Sequence, residues 1–221
     1  NMLNLPKNAV EGVSVRPMIK ARASHKLAIV DLSNIEARVG AWLVGDEAML
    51  QSIRDGVDIY EAHARATMGY TDPRPLKEVD NDMRQLAKTR VLGLGFQQGA
   101  ERLSDGMDIS IREAKKIVSD FRCTNPKITD KWRDLGVGLE HNHDGEGNLV
   151  QTLPSGRRLQ YFNVKNELTE ELRFQWKAGT TQGTEAKRPA WYGGKLYQNQ
   201  CQSVARDIFC HGMLAVVQSG Y

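Results

Sequence analysis

Residues 84–96 read Arg-Gln-Leu-Ala-Lys-Thr-Arg-Val-Leu-Gly-Leu-Gly-Phe, with four side chains spaced four residues apart. On a helix, which rises about 1.5 Å per residue, these four side chains would form one stripe about 18 Å long. They are Arg84, Lys88, Leu92 and Phe96. Cations suit phosphates, and an aromatic ring suits a nucleobase. The pattern therefore predicts a platform for a nucleoside triphosphate. An ordinary amphipathic helix, with a buried apolar end and solvated cations, fits the same spacing.

A second informative stretch, residues 31–38, reads Asp-Leu-Ser-Asn-Ile-Glu-Ala-Arg and follows an apolar run at 27–30. The run predicts a buried strand ending at Asp31, and the apolar residues after it recur at helical spacing. Ser33 and Glu36 have the spacing of a capping box, in which the hydroxyl and the carboxylate bond to the first backbone N–H groups of a helix. The spacing is therefore compatible with a structural role for this segment as well as with a functional one.

The rest of the chain alternates between helical and strand patterns. The first 24 residues are basic and irregular, and helical spacing dominates from Glu47 to about Phe121. Residues 149–162 alternate around Pro154-Ser155-Gly156 as a β-hairpin does, and a last helix is predicted over about Lys195 to Gln218. These patterns predict a helix-rich α+β fold with a small antiparallel sheet.

The composition is that of a globular protein. The 221 residues, 40% of them apolar, suffice for one large domain or two small ones, and the net charge of +3 permits a nucleic-acid partner without requiring one. No apolar run approaches the roughly 18 residues of a membrane span. Three cysteines argue against a disulfide framework, so we expect a cytoplasmic protein. Cys201 and Cys210 lie on a helical pattern, and we expect both in the core.

Together these motifs resemble those of the family A, or polymerase I type, DNA polymerases, and in particular the phage and prophage branch. Residues 31–38 resemble motif A, and residues 84–96 resemble motif B on the so-called O helix. Thr152–Arg158 resembles the hairpin after the fingers, and Gln202 with Asp207 resembles a late template-contacting helix. The resemblance covers nearly the whole chain.

The resemblance implies helical fingers inserted in a small antiparallel palm sheet. It places the first part of the palm at residues 1–45, the fingers at 46–146 and a second, incomplete part of the palm at 147–221. Family members continue into a hairpin with a His-Asp-Glu motif, which supplies a second catalytic aspartate. Tyr221 precedes that position, so we expect exposed palm surface and self-association.

The activity implied is template-directed transfer of nucleotides from dNTPs to a primer 3′-hydroxyl, with primer-template DNA as the partner. Two Mg²⁺ ions would assist, held in part by the Asp31 carboxylate and the Leu32 carbonyl, because Mg²⁺ prefers oxygen ligands. With one aspartate we expect the isolated chain to be inactive. A catalytically dead nucleic-acid-binding remnant is the alternative hypothesis.

The resemblance also assigns roles around the incoming nucleotide. Arg84 and Lys88 would bind the triphosphate, and Lys88 would protonate the leaving pyrophosphate. Glu36 would be a steric gate against a ribose 2′-hydroxyl. Phe96 would close over the new base pair, and Tyr60 would pack beside the triphosphate.

Some positions depart from the family pattern. Leu92 stands where relatives usually have Phe or Tyr, Phe96 where they usually have Tyr, and Gly194 where many have Arg. Contacts with DNA are expected from Lys7, Lys195 and Gln202.

Overall fold

The computed structural model describes residues 12–141, 144, 146–180 and 188–220. The chain divides into two units, residues 1–33 and 34–221. In the first unit, the described residues 12–33 form a 3₁₀ turn at Arg16–Met18 and no α-helix.

The strand predicted before Asp31 is wrong. Residues 26–31 are in neither a helix nor a strand, and the side chains of Ile29 and Val30 are 88% and 72% exposed. A strand requires a neighbour that accepts and donates its backbone hydrogen bonds. No such ladder with this segment exists within the described part of the chain, so its apolar composition does not produce a strand.

The second unit is mainly helical, as predicted. Its α-helices are α1 (Ile35–Leu43), α2 (Glu47–Arg54), α3 (Ile59–Thr67), α4 (Leu76–Val79), α5 (Asn81–Leu92), α6 (Ala100–Met107), α7 (Ile111–Thr124), α8 (Pro126–His141) and α9 (Gly193–Gln218). Several begin at a polar residue whose side chain accepts a hydrogen bond from a backbone N–H of the first turn, which satisfies a donor that has no helical partner: Asp46, Asp58, Asp80 and Ser110.

Four strands form an antiparallel sheet in the order β1-β2-β3-β4. They are β1 (Leu149–Thr152), β2 (Arg158–Leu168), β3 (Phe174–Gly179) and β4 (Ala190–Trp191). The predicted hairpin is confirmed: β1 pairs with β2, with Leu149 opposite Tyr161. Gly156 in the turn has a φ of 82°, in the left-handed region that glycine adopts without strain.

Three hydrophobic clusters hold the second unit together. The first lies between α1, α6, α7, α8 and the N-terminal half of α9, with Phe121, Trp132 and Tyr197 among its buried members. The second lies between α3 and α5 and contains Tyr60. The third joins the sheet to α8 and α9 through side chains that include Leu196. The first half of α9 therefore contributes to two of the three clusters.

The helix-rich α+β class with an antiparallel sheet is thus confirmed. The boundaries proposed for fingers and palm stay a prediction. Among the described residues, no helix has both the length and the apolar character needed to cross a membrane.

Candidate functional site

The predicted nucleotide stripe does not lie on one helix. Helix α5 ends at Leu92, and Phe96 lies beyond Gly93 in a separate 3₁₀ turn, Leu94–Phe96. Leu92 packs against the cluster between α3 and α5, whereas Phe96 packs against the cluster around α9. The prediction of a continuous stripe is therefore wrong at its aromatic end, because the change of backbone path at Gly93 sends the two apolar side chains to different cores.

The cationic end of the stripe is built into a cluster of four side chains, Asn34, Asp58, Tyr60 and Arg84, hereafter the Arg84 cluster. The Arg84 guanidinium lies 5.3 Å from the centre of the Tyr60 ring, within the range of a cation–π contact. Its Nη2 lies 3.3 Å from Asp58 Oδ2. The hydroxyl of Tyr60 donates to Asn34 Oδ1 at 3.1 Å. The cluster thus joins the beginnings of α1 and α3 to α5.

One donor in this cluster is unused. The Nε of Arg84 is buried and has no hydrogen-bond partner. Because that atom is enclosed, a ligand can reach only the other guanidinium atoms of Arg84, whose side chain is 25% exposed. Lys88 is exposed one helical turn further along α5, about 6 Å away along the axis. The two cations can therefore contact neighbouring phosphates of one ligand.

The Tyr60 hydroxyl is held neutral. Burial raises the pKa of Tyr60, and the negative charges of Asp58 and Glu36 raise it further, against the opposing effect of Arg84. A neutral phenol donates one hydrogen bond, which here goes to Asn34. Tyr60 therefore orients the start of α1 and supports the guanidinium with its ring.

Helix α1 begins one residue later than the capping box predicted at Ser33 and Glu36 requires. Helix α1 starts at Ile35 with Asn34 as its N-cap, in the left-handed conformation at φ 56°, and the Asn34 side chain makes no capping hydrogen bond. Glu36 is therefore the second helical residue and not the third, which is the position that a capping box requires. Its half-buried carboxylate still lies near the positive end of the helix dipole.

Two predicted site residues meet in one pocket. Glu36 and Phe96 both line a cavity between α1, α3, α7 and α9, together with Ile59, His63 and Tyr197. The Phe96 ring lies 5.7 Å from the Tyr197 ring in a tilted arrangement. Because phenylalanine has no hydroxyl, Phe96 cannot donate a hydrogen bond to the Glu36 carboxylate. The carboxylate is therefore not held by its aromatic neighbour.

The wall of this pocket formed by His63 is uncharged near neutral pH. Burial lowers the pKa of His63 to about 4, and the positive charge of Arg90 contributes in the same direction. The His63 ring packs against Phe121 and lies 3.1 Å, at Nε2, from the hydroxyl of Thr67. Glu36 is thus not neutralised by this imidazole.

Asp31 and Leu32, the predicted metal ligands, belong to the first unit. Asp31 is exposed and Leu32 is half-buried. An accessible carboxylate and a backbone carbonyl are oxygen donors of the kind that Mg²⁺ prefers. Among the described residues, however, no three His, Cys, Asp or Glu side chains are grouped closely enough to hold a metal ion. Asp31 and Leu32 can form only part of a ligand set.

The predicted DNA contacts have different environments. Gln202 is exposed on α9. Lys195 is half-buried, donates to the Ala190 carbonyl at 2.6 Å and lies 4.7 Å from the centre of the Trp191 ring, so its ammonium has partners within the protein. Burial also lowers the pKa of Lys195. Lys7 lies outside the described residues.

Sequence reasoning missed two residues of the site. Asp58 caps α3 with one carboxylate oxygen and pairs with Arg84 through the other. An aspartate just before a helical pattern is a capping signal, so its position could have been predicted, but not its partner. Gln97 has a φ of 67°, and its amide oxygen accepts a hydrogen bond from the Gly194 N–H at 2.7 Å. No sequence pattern indicates that contact.

Comparison with known proteins gives a consistent set of relatives. The profile of DNA polymerase family A matches residues 1–183. The DNA polymerase of Bacillus phage SP02 is 32% identical over 94% of this chain and 35% of its own length. The thermostable DNA polymerase I of Thermus thermophilus is 33% identical over 58% of this chain and 15% of its own length. The chain thus spans about a third of the phage relative.

A solved structure shares the fold. The POL domain of Pol1 from M. smegmatis, in complex with DNA primer-template and dNTP, matches 86% of this chain and 29% of its own chain, with a TM-score of 0.61 and 22% sequence identity. At that identity the likeness concerns the fold alone.

Proposed function

Because this chain belongs to DNA polymerase family A, we propose that it forms the nucleotide-binding fingers and part of the palm of an enzyme that copies DNA. The reaction transfers a nucleotidyl group from a dNTP to the 3′-hydroxyl of a primer paired with a template. The chain supplies the residues that bind and select the nucleotide.

The triphosphate is bound by Arg84 and Lys88. The observation that carries this proposal is a guanidinium held by Asp58 and Tyr60 on a side chain that is still 25% exposed, one helical turn from the exposed Lys88. A guanidinium held in place binds phosphate oxygens with little loss of side-chain entropy. The exposed ammonium of Lys88 neutralises an adjacent phosphate and is placed to protonate the leaving pyrophosphate.

The sugar is selected by Glu36. Its half-buried carboxylate narrows the pocket that it shares with Phe96, so a ribose 2′-hydroxyl would meet a charged group and a filled volume. The gate acts through the position of α1, which Asn34 and Tyr60 fix by their hydrogen bond.

Asp31 and the Leu32 carbonyl form part of the ligand set for Mg²⁺, and the remaining ligands come from outside the described residues or from the nucleotide. Bound Mg²⁺ supplies neutralisation of phosphate charge and activation of the primer hydroxyl. Gln202 contacts the DNA, with Lys7 and Lys195 as further candidates.

The proposal is tested by titrating dATP, with Mg²⁺, into this chain and into two single variants. Arg84→Ala should weaken binding at least about tenfold, because charge-assisted contacts are among the stronger ones in proteins. Arg112→Ala is the matched control, since Arg112 is exposed on α7. Equal affinities for the wild type and Arg84→Ala would contradict the triphosphate site.

Sugar selection is tested by comparing dATP with ATP in the same titration. Glu36→Ala should bring the two affinities closer together while dATP binding changes little. An unchanged ratio would leave Glu36 with only its role near the start of α1.

A catalytically inactive nucleic-acid-binding remnant is the second candidate function. It is favoured by the lack of a complete metal-ligand group among the described residues. Primer extension with dNTPs and Mg²⁺ separates the two: we expect this chain to bind primer-template DNA weakly, with an affinity that falls steeply with salt, and not to extend it. Robust extension by this chain would exclude the remnant.

A further inference from the structure

The turn that carries Phe96 is fixed to the rest of the molecule at three consecutive residues. The Gly95 carbonyl accepts a hydrogen bond from Trp132 Nε1 of α8 at 3.1 Å. The Phe96 ring packs on Tyr197 of α9. The Gln97 amide oxygen accepts from the Gly194 N–H, at the first turn of α9, at 2.7 Å. Two of the three anchors lead to α9 and one to α8.

The contact between Gln97 and Gly194 is both close and strained. A Cβ atom on Gly194 would lie 2.2 Å from the Gln97 Cβ and 2.7 Å from the Phe96 carbonyl oxygen, so a larger residue does not fit while the turn stays in place. Gln97 itself has a φ of 67°, a conformation that costs a residue with a side chain more than it costs glycine. A hydrogen bond made by the glutamine side chain is a gain that offsets this cost.

That gain is a helix cap. The first N–H groups of a helix have no acceptor within the helix, and an amide oxygen placed there satisfies one of them. The residue that precedes α9, Tyr192, provides no side-chain cap. Gln97 thus supplies from a distant part of the chain what a local N-cap residue usually supplies.

We propose that Gln97 is a positioning residue for nucleotide selection: by capping α9 at Gly194, it sets the place of the Phe96 ring in the pocket that Phe96 shares with Glu36. The role of Gln97 in nucleotide selection rests on the proposed function, whereas its role in placing the Phe96 ring does not. The cations that bind the triphosphate are held by α3 and α5, whereas the aromatic ring is held by α9. A nucleotide that contacts both is therefore sensitive to the anchor between the turn and α9.

The geometric test uses two variants of this chain that have opposite effects on strain. Both variants remove the cap. Gln97→Ala keeps the backbone strain of the positive φ, whereas Gln97→Gly relieves that strain. By NMR, both should lose the protection of the Gly194 amide against hydrogen exchange and the proton contacts between the Phe96 and Tyr197 rings. Gln85→Ala, an exposed glutamine of α5, is the matched control and should retain both. Unchanged ring contacts in Gln97→Gly would overturn the proposal.

The functional test titrates dATP with Mg²⁺ into the same variants, with the midpoint of urea unfolding measured alongside. Gln97→Gly should unfold at a urea concentration equal to or above that of Gln97→Ala, yet both should bind dATP about fivefold more weakly than the wild type. A residue that acts only through stability would instead give affinities that follow the urea midpoints, and that result would overturn the positioning role. If the wild-type chain does not bind dATP, the proposed function fails, and the geometric test alone then decides whether Gln97 positions Phe96.

Discussion

The two halves of α9 differ in environment, and the more apolar half is the exposed one: 5 of 13 residues are apolar in 193–205 and 8 of 13 in 206–218. In the first half, to Ala205, the buried residues are Gly193, Gly194, Leu196, Tyr197, Cys201, Val204 and Ala205. From residue 206 to 218 every side chain is exposed or half-exposed, including the apolar ones: Ile208, Phe209, Met213, Leu214, Val216 and Val217. One uninterrupted helix thus passes from core to surface while its apolar content rises, because burial depends on which elements lie beside the helix.

The largest expected difference between the halves comes from their glycines. A Cβ on Gly193 would lie 1.8 Å from the Trp132 carbonyl oxygen, and backbone cannot move aside as a flexible side chain can. Gly193→Ala should therefore destabilise the protein by roughly 4 kcal/mol, a loss reserved for severe packing defects. In contrast, Gly212 has open space around it, so Gly212→Ala should stabilise the helix by about 0.5–1 kcal/mol. Urea unfolding of both variants measures the difference, and equal losses would contradict it.

A pair of leucines gives the next largest difference. Leu196 is fully buried and Leu214 is 60% exposed. Leu196→Ala removes a side chain from the cluster that joins α9 to the sheet and should cost about 3 kcal/mol through lost burial and a cavity. Leu214→Ala should change the free energy of unfolding by less than about 0.5 kcal/mol. Comparable losses would show that the second half is also packed in solution.

The reactivity of the native cysteines allows the two halves of α9 to be compared without mutation. All three are free, and Cys210 in the second half is exposed, so the prediction that both Cys201 and Cys210 lie in the core is confirmed for Cys201 and wrong for Cys210. Burial raises the pKa of Cys201 to about 12, and the thiolate is the reactive form. A maleimide at pH 7 should therefore label Cys123 and Cys210 at least about tenfold faster than Cys201, because labelling of Cys201 requires local opening. Mass spectrometry of timed samples would reveal three equal rates if the first half of α9 were loosely packed.

The smallest effect is expected for self-association. A row of exposed apolar side chains on the second half of α9 favours contact between copies of this chain. We expect concentration-dependent dimers in sedimentation velocity, weakened by Leu214→Glu without loss of stability. Leu172→Glu is the control, because Leu172 is 80% exposed in the loop between β2 and β3. A wild-type chain that stays monomeric at high concentration would contradict this prediction.

Local patterns predicted local structure well and contacts poorly. The hairpin around Gly156, the helix at residues 193–218 and the helical run before them follow from periodicity and turn residues. The apolar run before Asp31 has a strand-like pattern as well, yet it pairs with no strand among the described residues. The spacing of serine and glutamate gave two outcomes: Ser110 caps α7 through the Glu113 N–H, whereas α1 begins at Ile35, one residue later than a capping box at Ser33 requires.

For the candidate site, too, the sequence indicated individual residues but not their contacts. The sequence identified Arg84, Lys88, Glu36 and Phe96 as candidates, by their spacing and by resemblance to a family. It could not indicate that α5 ends at Leu92 or that Arg84 pairs with Asp58. Nor could it indicate that the Lys195 ammonium contacts Ala190 and Trp191. The contacts join residues between 4 and 26 positions apart, and the hydrophobic periodicity of the sequence does not indicate them.

By itself, the sequence determined most of the helical segments and where a hairpin turns, because these follow from backbone preferences within a few residues. The tertiary structure alone decided which half of α9 is buried, where Phe96 leaves the line of α5, and that Gln97 caps a helix beginning 96 residues later at Gly193. The reason is that burial, close approach and capping over such distances depend on which surfaces meet, and that is settled only when the whole chain packs.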